Sequence, residues 1–380
     1  MRHLALLIKD TTGWQSAPAV SIEHHLEAAA RWLLQAQAAT PDDGVAHSFD
    51  VRRTRWLPSY PETTGYVIPT LYDYARHFNA PRYAQAAHKM ARWETAVQLE
   101  GGGVRAGTME AHPAVPTIFN TGQVLFGWAR AFRESGDVAL LQSLVRAADW
   151  LVAAQDEDGA WRAHASPFAQ GGIKSYNTRS AFGLIRAFEI TQEPRHRAAA
   201  ERNIAWALSR AEPNGFLPDN CLTPNPCPLT HTLAYSIRGI LEVGQACGRE
   251  DWLKHALSMA RAIARTQRPD GALPGRLDAR WQAAARWSCL TGNSQMAINW
   301  FRLSHLTGAR ELIWHAKRAN RFNRNQQELN SRDPNRFGAI KGSHPIHGEY
   351  MPWRYPNWAA KFFMDALMFE HLDGRVENLG

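Results

Sequence analysis

A glutamine followed by a glycine-containing turn recurs along this chain at a nearly fixed interval. Trp93 to Gln98 precedes Gly101-Gly102-Gly103, and Trp150 to Gln155 precedes Asp158-Gly159. Trp206 precedes Asn214-Gly215, and Ile263 to Gln267 precedes Asp270-Gly271. Gln98 and Gln155 lie 57 residues apart, and Gly159, Gly215 and Gly271 follow one another at intervals of 56. An earlier copy runs from Trp32 through Gln37 to Asp43-Gly44. After each turn come a loop and a second segment rich in small residues. These segments open at Glu62, Asn120, Asn177, Thr230, Thr291 and Asn357. Several begin with Asn or Thr, residues suited to a helix N-cap.

The repeat unit is therefore a helical hairpin, present six times, and no stretch of strand-like alternation competes with it. One hairpin cannot bury its apolar face alone; six can close into a ring in which each covers its neighbour. Segments with Gly and Ala on several faces can be surrounded on all sides, so they belong to an inner ring, and the Trp…Gln segments to an outer one. This predicts an all-α (α/α)6 barrel, a single domain over residues 1–380, with inner helices starting near residues 62, 119, 176, 231, 290 and 356. The long loops join outer to inner helices and gather on one rim, where helix N-termini present free N–H groups to a ligand.

Composition limits what the rim can bind. With 43 Lys+Arg against 35 Asp+Glu the net charge is +8, which suits an anionic partner. The basic residues are dispersed as helix-face singles such as Arg261, Arg265 and Arg268, a pattern that argues against nucleic acid and fits an acidic saccharide. The 15 Trp suit both a ring-shaped core and a sugar-stacking cleft. The apolar run Leu4–Ile8 is too short for a signal peptide, and no stretch reaches the length of a membrane span. With only four cysteines, a cytoplasmic location is expected. Cys221, Cys227 and His231 have loosely workable metal spacing, but prolines 224, 226 and 228 read as a rigid loop, so no metal or cofactor is assigned. Gly101–Gly103 and Gly171-Gly172 lack a P-loop Lys-Ser/Thr signature.

The stretch DWLVAAQDEDGAW, Asp149 to Trp161, resembles the aromatic-Gln-Gly-Trp repeat of triterpene cyclases and, more loosely, of protein prenyltransferases. That resemblance implies an α-toroid. The Asp-x-Asp-Asp motif of the cyclases, a prenyltransferase zinc set and the Cys-His pair of lanthionine cyclases have no counterpart, which directs attention to glycoside hydrolases, polysaccharide lyases and sugar epimerases. The run FGAIKGSHPIHGEYMPWRYPNWAAKFFMDAL, Phe337 to Leu367, is similar to toroid proteins associated with bacterial exopolysaccharide and O-antigen biosynthesis, which implies a surface-glycan substrate.

Glycoside hydrolysis needs two carboxyl groups flanking the bond. Glu62 and Glu349 precede the first and last inner helices, neighbours in a closed ring, and are expected on the same rim about 5–10 Å apart; Asp219 would face them across the barrel. A lyase or epimerase needs instead a proton abstractor and groups that neutralise a uronate carboxylate. His344, His347 and Tyr350 are candidates for catalysis beside the two glutamates. Tyr60, His112, Asn120, Tyr176, Asn177, Arg179, His231, Trp353, Arg354 and Tyr355 are candidates for substrate binding. The loop from Lys341 to Tyr355 is expected to wall the cleft, with Gly342, Pro345 and Gly348 letting the backbone approach a ligand; the competing expectation is a plug that packs Trp353 and Tyr355 against the first unit. The reading is a glycan-active enzyme that cleaves glycosidic bonds of an acidic oligo- or polysaccharide, by hydrolysis or β-elimination. A uronate C5-epimerase and a non-catalytic glycan-binding toroid are the alternatives.

Overall fold

The structure, a computed structural model, describes Leu7, Asp10 and residues 20–169 and 171–373. Twelve α-helices are present among the described residues. Six form an outer layer: α1 (Ile22–Ala38), α3 (Pro81–Val97), α5 (Val138–Ala153), α7 (Pro194–Ser209), α9 (Glu250–Ala264) and α11 (Glu311–Arg324). Six form the inner ring: α2 (Pro61–His77), α4 (Ile118–Ser135), α6 (Thr178–Thr191), α8 (Thr230–Ala246), α10 (Leu290–Thr307) and α12 (Asn357–His371). Each inner helix packs against the next and α12 returns to α2, so the ring closes. The inner helices begin within two residues of the expected positions, and their sides are buried nearly all round, as in α8.

The periodic glutamines and glycines each have a mechanical role. Gln98 Nε2 donates back to Gly102 O in its own turn (2.7 Å) and across to Ser143 O of the next outer helix (3.0 Å). Gln155 does the same to Gly159 and Ala199, and Gln267 to Gly271 and His315. The turn glycines 102, 159 and 271 adopt φ of 93° to 97°. A Cβ there would meet a carbonyl oxygen of the neighbouring outer helix, Arg146, Arg202 or Arg318, at 2.6 Å or less. The sixth unit uses the same device over a longer turn and thereby closes the ring. Gln327 donates to Gly338 O and to His25 O of α1, and Gly338 abuts Ala28 O. The fourth unit has Ala211 where the others have Gln.

Inside the ring, small residues let the inner helices touch backbone to backbone. Gly127 sits against Gly65, Gly183 against Gly122, and Gly239 against Thr178; a Cβ on Gly239 would lie 2.2 Å from the Thr178 carbonyl oxygen. Gly239→Ala must therefore push α6 and α8 apart, and overpacking of this kind costs about 1–3 kcal/mol. A denaturant midpoint unchanged by this substitution would show that the seam is looser than these contacts indicate.

Of the Asn and Thr residues expected as N-caps, only Asn177 takes the cap position, and its side chain makes no cap hydrogen bond. The caps are Tyr60, Thr117, Asn177, Leu229, Cys289 and Pro356, and of these only Cys289 bonds a helix N–H through its side chain. Other Asn and Thr residues of the first turns hold the preceding loops instead. Asn120 donates to Arg105 O, Asn357 to Ala46 O, and the Thr64 and Thr121 hydroxyls accept from Val45 N and Val104 N.

The loops also form small sheets absent from the sequence reading. Strand β1 (Ser48–Asp50) pairs antiparallel with β2 (Arg55–Trp56) and with β5 (Arg354–Pro356), while β3 (Ser288–Cys289) pairs with β4 (Ser343–His344). The pairing Phe49↔Tyr355 stitches the first unit's loop to the last unit's.

Candidate functional site

Every inner helix begins at the rim where the outer helices end, and between their first turns lies a cavity of about 700 Å³. Glu62 and Tyr66 enter it from α2, Phe119 and Asn120 from α4, His231 and Tyr235 from α8, and Trp358 from α12. The loops add His47, Tyr60 and Tyr176, then Arg276, Glu349, Tyr350 and Arg354. Phe168, 54% exposed, stands among the lining residues.

The cavity has a floor. Tyr66 and Tyr235 pack against Phe362 at 5.4 and 6.0 Å. In the ring interior are buried charges: Lys361 with Asp365 (2.5 Å), Arg130 with Asp73 (2.6 Å), and Glu242 between Arg238 and Arg302. The cavity therefore opens at the rim and does not run through the barrel.

Glu62 is the chemically distinctive group. Burial pushes its carboxyl from the ordinary 4.5 up to about 7, against the opposing pull of the Tyr60 hydroxyl, which donates to Oε2. Such an acid keeps much of its proton near neutral pH. The two imidazoles are neutral there. Burial, assisted by Arg354, lowers His47 to about 3, and burial lowers His231 to about 4 despite its Nδ1 contact with Gln295 Oε1 (2.7 Å). His47 is wedged between Tyr60 and Trp358 with ring centres at 5.3 and 4.8 Å. Trp358 Nε1 donates to the Tyr350 oxygen (2.8 Å), which leaves the Tyr350 proton for another acceptor.

Glu349 lines the same cavity as Glu62, but its carboxylate lies in the fork of Arg276, with Nε–Oε2 at 3.0 Å and Nη2–Oε1 at 2.6 Å. Tyr60, Asn120, Tyr176, His231, Tyr350 and Arg354 also line it. The other candidates lie elsewhere. Arg179 is beneath the aromatic floor, 1% exposed, with its guanidinium 4.4 Å from the Phe126 ring centre; large neighbours, not a ligand, surround it. Asn177 borders a separate small space with Lys174 and His164. His112 is exposed outside the cavity.

The Lys341–Tyr355 loop divides its residues between wall and plug. Its Glu349, Tyr350 and Arg354 face the cavity, whereas His344 packs on Phe322 and near Asp10, and His347 is exposed to solvent away from the cavity. Trp353 lies under the Arg52 guanidinium, and Tyr355, fully buried, donates to Glu328. These two are the plug. Gly342 and Gly348 let the loop fold on itself, against Met351 and Ser343, and neither lines the cavity. Asp219 pairs with Arg210 and does not line the cavity.

Sequence reasoning missed His47, Arg276, Tyr235 and Trp358. Arg276 was within reach: it lies between Gly271 and the fifth inner helix, in a loop the repeat already puts on the rim. The four cysteines are unpaired thiols, and no group of three or more His, Cys, Asp or Glu among the described residues is arranged to hold a metal. No helix of the described residues is long and apolar enough to cross a membrane.

No family model matches the chain, and no curated protein matches it in sequence. Solved structures do match in fold. An unsaturated glucuronyl hydrolase from Bacillus sp. GL1, described as responsible for the degradation of glycosaminoglycan, superposes with a TM-score of 0.73 at 16% identity, covering 92% of this chain and 97% of its own. A D-mannose isomerase gives 0.72 at 14% identity, covering 94% and 100%. The cellobiose 2-epimerase of Bacillus thermoamylovorans gives 0.69 at 10% identity, covering 91% and 99%. Likeness at this identity establishes the architecture: the chain is an (α/α)6 barrel, a fold that these sugar-processing enzymes share.

Proposed function

We propose that this chain is a glycan-active enzyme that removes a terminal unit from an acidic oligosaccharide, such as a fragment of a bacterial surface polysaccharide, with Glu62 as the proton donor. The observation that carries the reading is a carboxyl group held near pKa 7 among tyrosines in a floored cavity. An acid tuned to the working pH is what general acid catalysis requires. A floored pocket favours a chain end over the middle of a polymer. The Glu62 proton passes to the glycosidic oxygen as the C–O bond breaks. Water adds to the sugar carbon and gives its proton to a neutral imidazole, His231, on the same cavity. The aromatic walls suit sugar rings.

One observation favours a second reading. A neutral imidazole, His47 or His231, shares the cavity with Glu62, which keeps much of its proton. The imidazole can take a proton from carbon while Glu62 delivers its own to the other face, and the imidazolium then releases its proton to solvent as Glu62 regains one, as an epimerase requires. The neighbours named as an isomerase and an epimerase keep that reading in view. Proton NMR of a uronate-terminated oligosaccharide incubated with the enzyme in D₂O separates the outcomes. A new reducing end marks hydrolysis, and an unsaturated uronate marks elimination. Deuterium on an otherwise intact sugar marks epimerisation. No change across a set of acidic oligosaccharides would contradict the catalytic reading.

A further inference from the structure

The ion pair between Arg276 and Glu349 is unequal. The Arg276 side chain is 5% exposed and rigidly placed: Nη1 donates to Cys227 O at 2.7 Å and Nη2 approaches Thr223 Oγ1 at 3.4 Å. The Glu349 side chain is 51% exposed, on a loop at the cavity edge, and fills the remaining two-pronged face of the guanidinium. One partner is fixed, the other is displaceable, and both border the cavity.

A buried guanidinium cannot be left without an anion cheaply, because its desolvation is compensated only by a paired charge. A planar carboxylate is the group its fork matches best. A carboxylate on an incoming sugar can take the same two hydrogen bonds while Glu349 swings into water, so the exchange keeps Arg276 paired throughout. The rest of the cavity agrees in charge. Arg354 lines it too, and among the described residues no carboxylate pairs with Arg354. With Glu349 displaced, the cavity holds two guanidinium groups beside a carboxyl that retains much of its proton.

We infer that Arg276 is the receptor for the substrate's carboxylate and that Glu349 occupies that receptor until the substrate arrives. This rests on the glycan reading above and names the substrate class within it: a saccharide whose bound unit is a uronate. Glu349 then acts as an internal competitor that lowers apparent affinity and keeps neutral sugars from gaining by the same contact.

The test is direct binding of glucuronate and of glucose, by calorimetry or ligand-observed NMR at low salt, to the wild type, Glu349→Ala and Arg276→Gln. Removing a competitor that occupies the site most of the time tightens binding by the inverse of the free fraction, about tenfold or more. Glu349→Ala is therefore expected to bind glucuronate about tenfold more tightly with glucose unchanged, and Arg276→Gln to lose the preference for glucuronate. If Glu349→Ala weakens glucuronate binding, the pair is a structural pin between loops and the inference is overturned. If all three forms bind the two sugars alike, the inference is overturned while the glycan reading stands. If neither sugar binds any form, the glycan reading fails and takes the inference with it.

Discussion

Replacing Glu62 by Gln is expected to lower turnover by about 10²–10⁴, the usual contribution of a positioned general acid, and to make the protein more stable above pH 7. The second effect follows from linkage. The folded-state pKa, about 7, lies above the ordinary value of 4.5. Between those limits the folded protein holds a proton that the unfolded chain has released, so stability falls as pH rises through this window and stays lower above it. At about 1.4 kcal/mol per unit, the penalty for ionising this partly buried carboxyl is at most on the order of 3 kcal/mol. Gln keeps the shape, offers a carbonyl oxygen to the Tyr60 hydroxyl and cannot ionise. Denaturant melts near pH 4 and pH 8 check this: the variant should match the wild type at the lower pH and exceed it by about 1–3 kcal/mol at the higher. Equal stability at both would mean that water reaches Glu62 and that its proton affinity is ordinary.

The opposite behaviour is expected of Glu242. Burial alone would raise its pKa, but Arg302 and Arg238 outweigh burial and hold it down to about 2. Its carboxylate receives two Arg302 hydrogen bonds of 2.8 Å and lies 2.9 Å from Arg238. Here the folded pKa is depressed, so the stabilisation is present above 4.5 and disappears as pH falls toward 2. Glu242→Gln removes the carboxylate that neutralises Arg238 and Arg302, and burial already lowers Arg238 to about 9. A buried pair broken on one side typically costs about 3–5 kcal/mol. The loss should appear in the urea midpoint at neutral pH and shrink in acid. A midpoint within experimental scatter of the wild type would show that the charges under the cavity floor are solvated.

What the sequence made legible follows from what each residue must satisfy locally. The Gln and Gly of each unit serve their own turn and the next outer helix, so the constraint repeats with the unit and can be read as a period. The barrel, the two layers and the rim all follow from it. Glu62 was accessible for the same reason, since its place before the first inner helix puts it on the rim. The remainder of the site depends on contacts between distant segments. His344 and His347 looked like a catalytic pair because they sit close together beside Glu349 and Tyr350 in a loop rich in Gly and Pro. In space His344 is spent on Phe322 and Asp10, and His347 faces solvent. Arg179 and His231 illustrate the same point at helix starts. Both are nearly fully buried inner-helix residues, yet one lies under the floor and the other on the cavity wall. Neither depth nor facing direction is encoded in a period of 56. His47, preceded by Gly-Val-Ala, gave no local sign of chemistry, and its environment is made by Tyr60 and by Trp358 from the far end of the chain.

Glu62, with a carboxyl pKa near 7, is proposed to donate the proton that drives cleavage. The most direct test is the pH dependence of kcat/KM on a uronate-terminated oligosaccharide, followed from about pH 5 to pH 9. The rate is expected to fall about tenfold per pH unit above roughly 7, as the essential acid loses its proton. A rate that holds steady to pH 9, or that rises through neutrality, would contradict it.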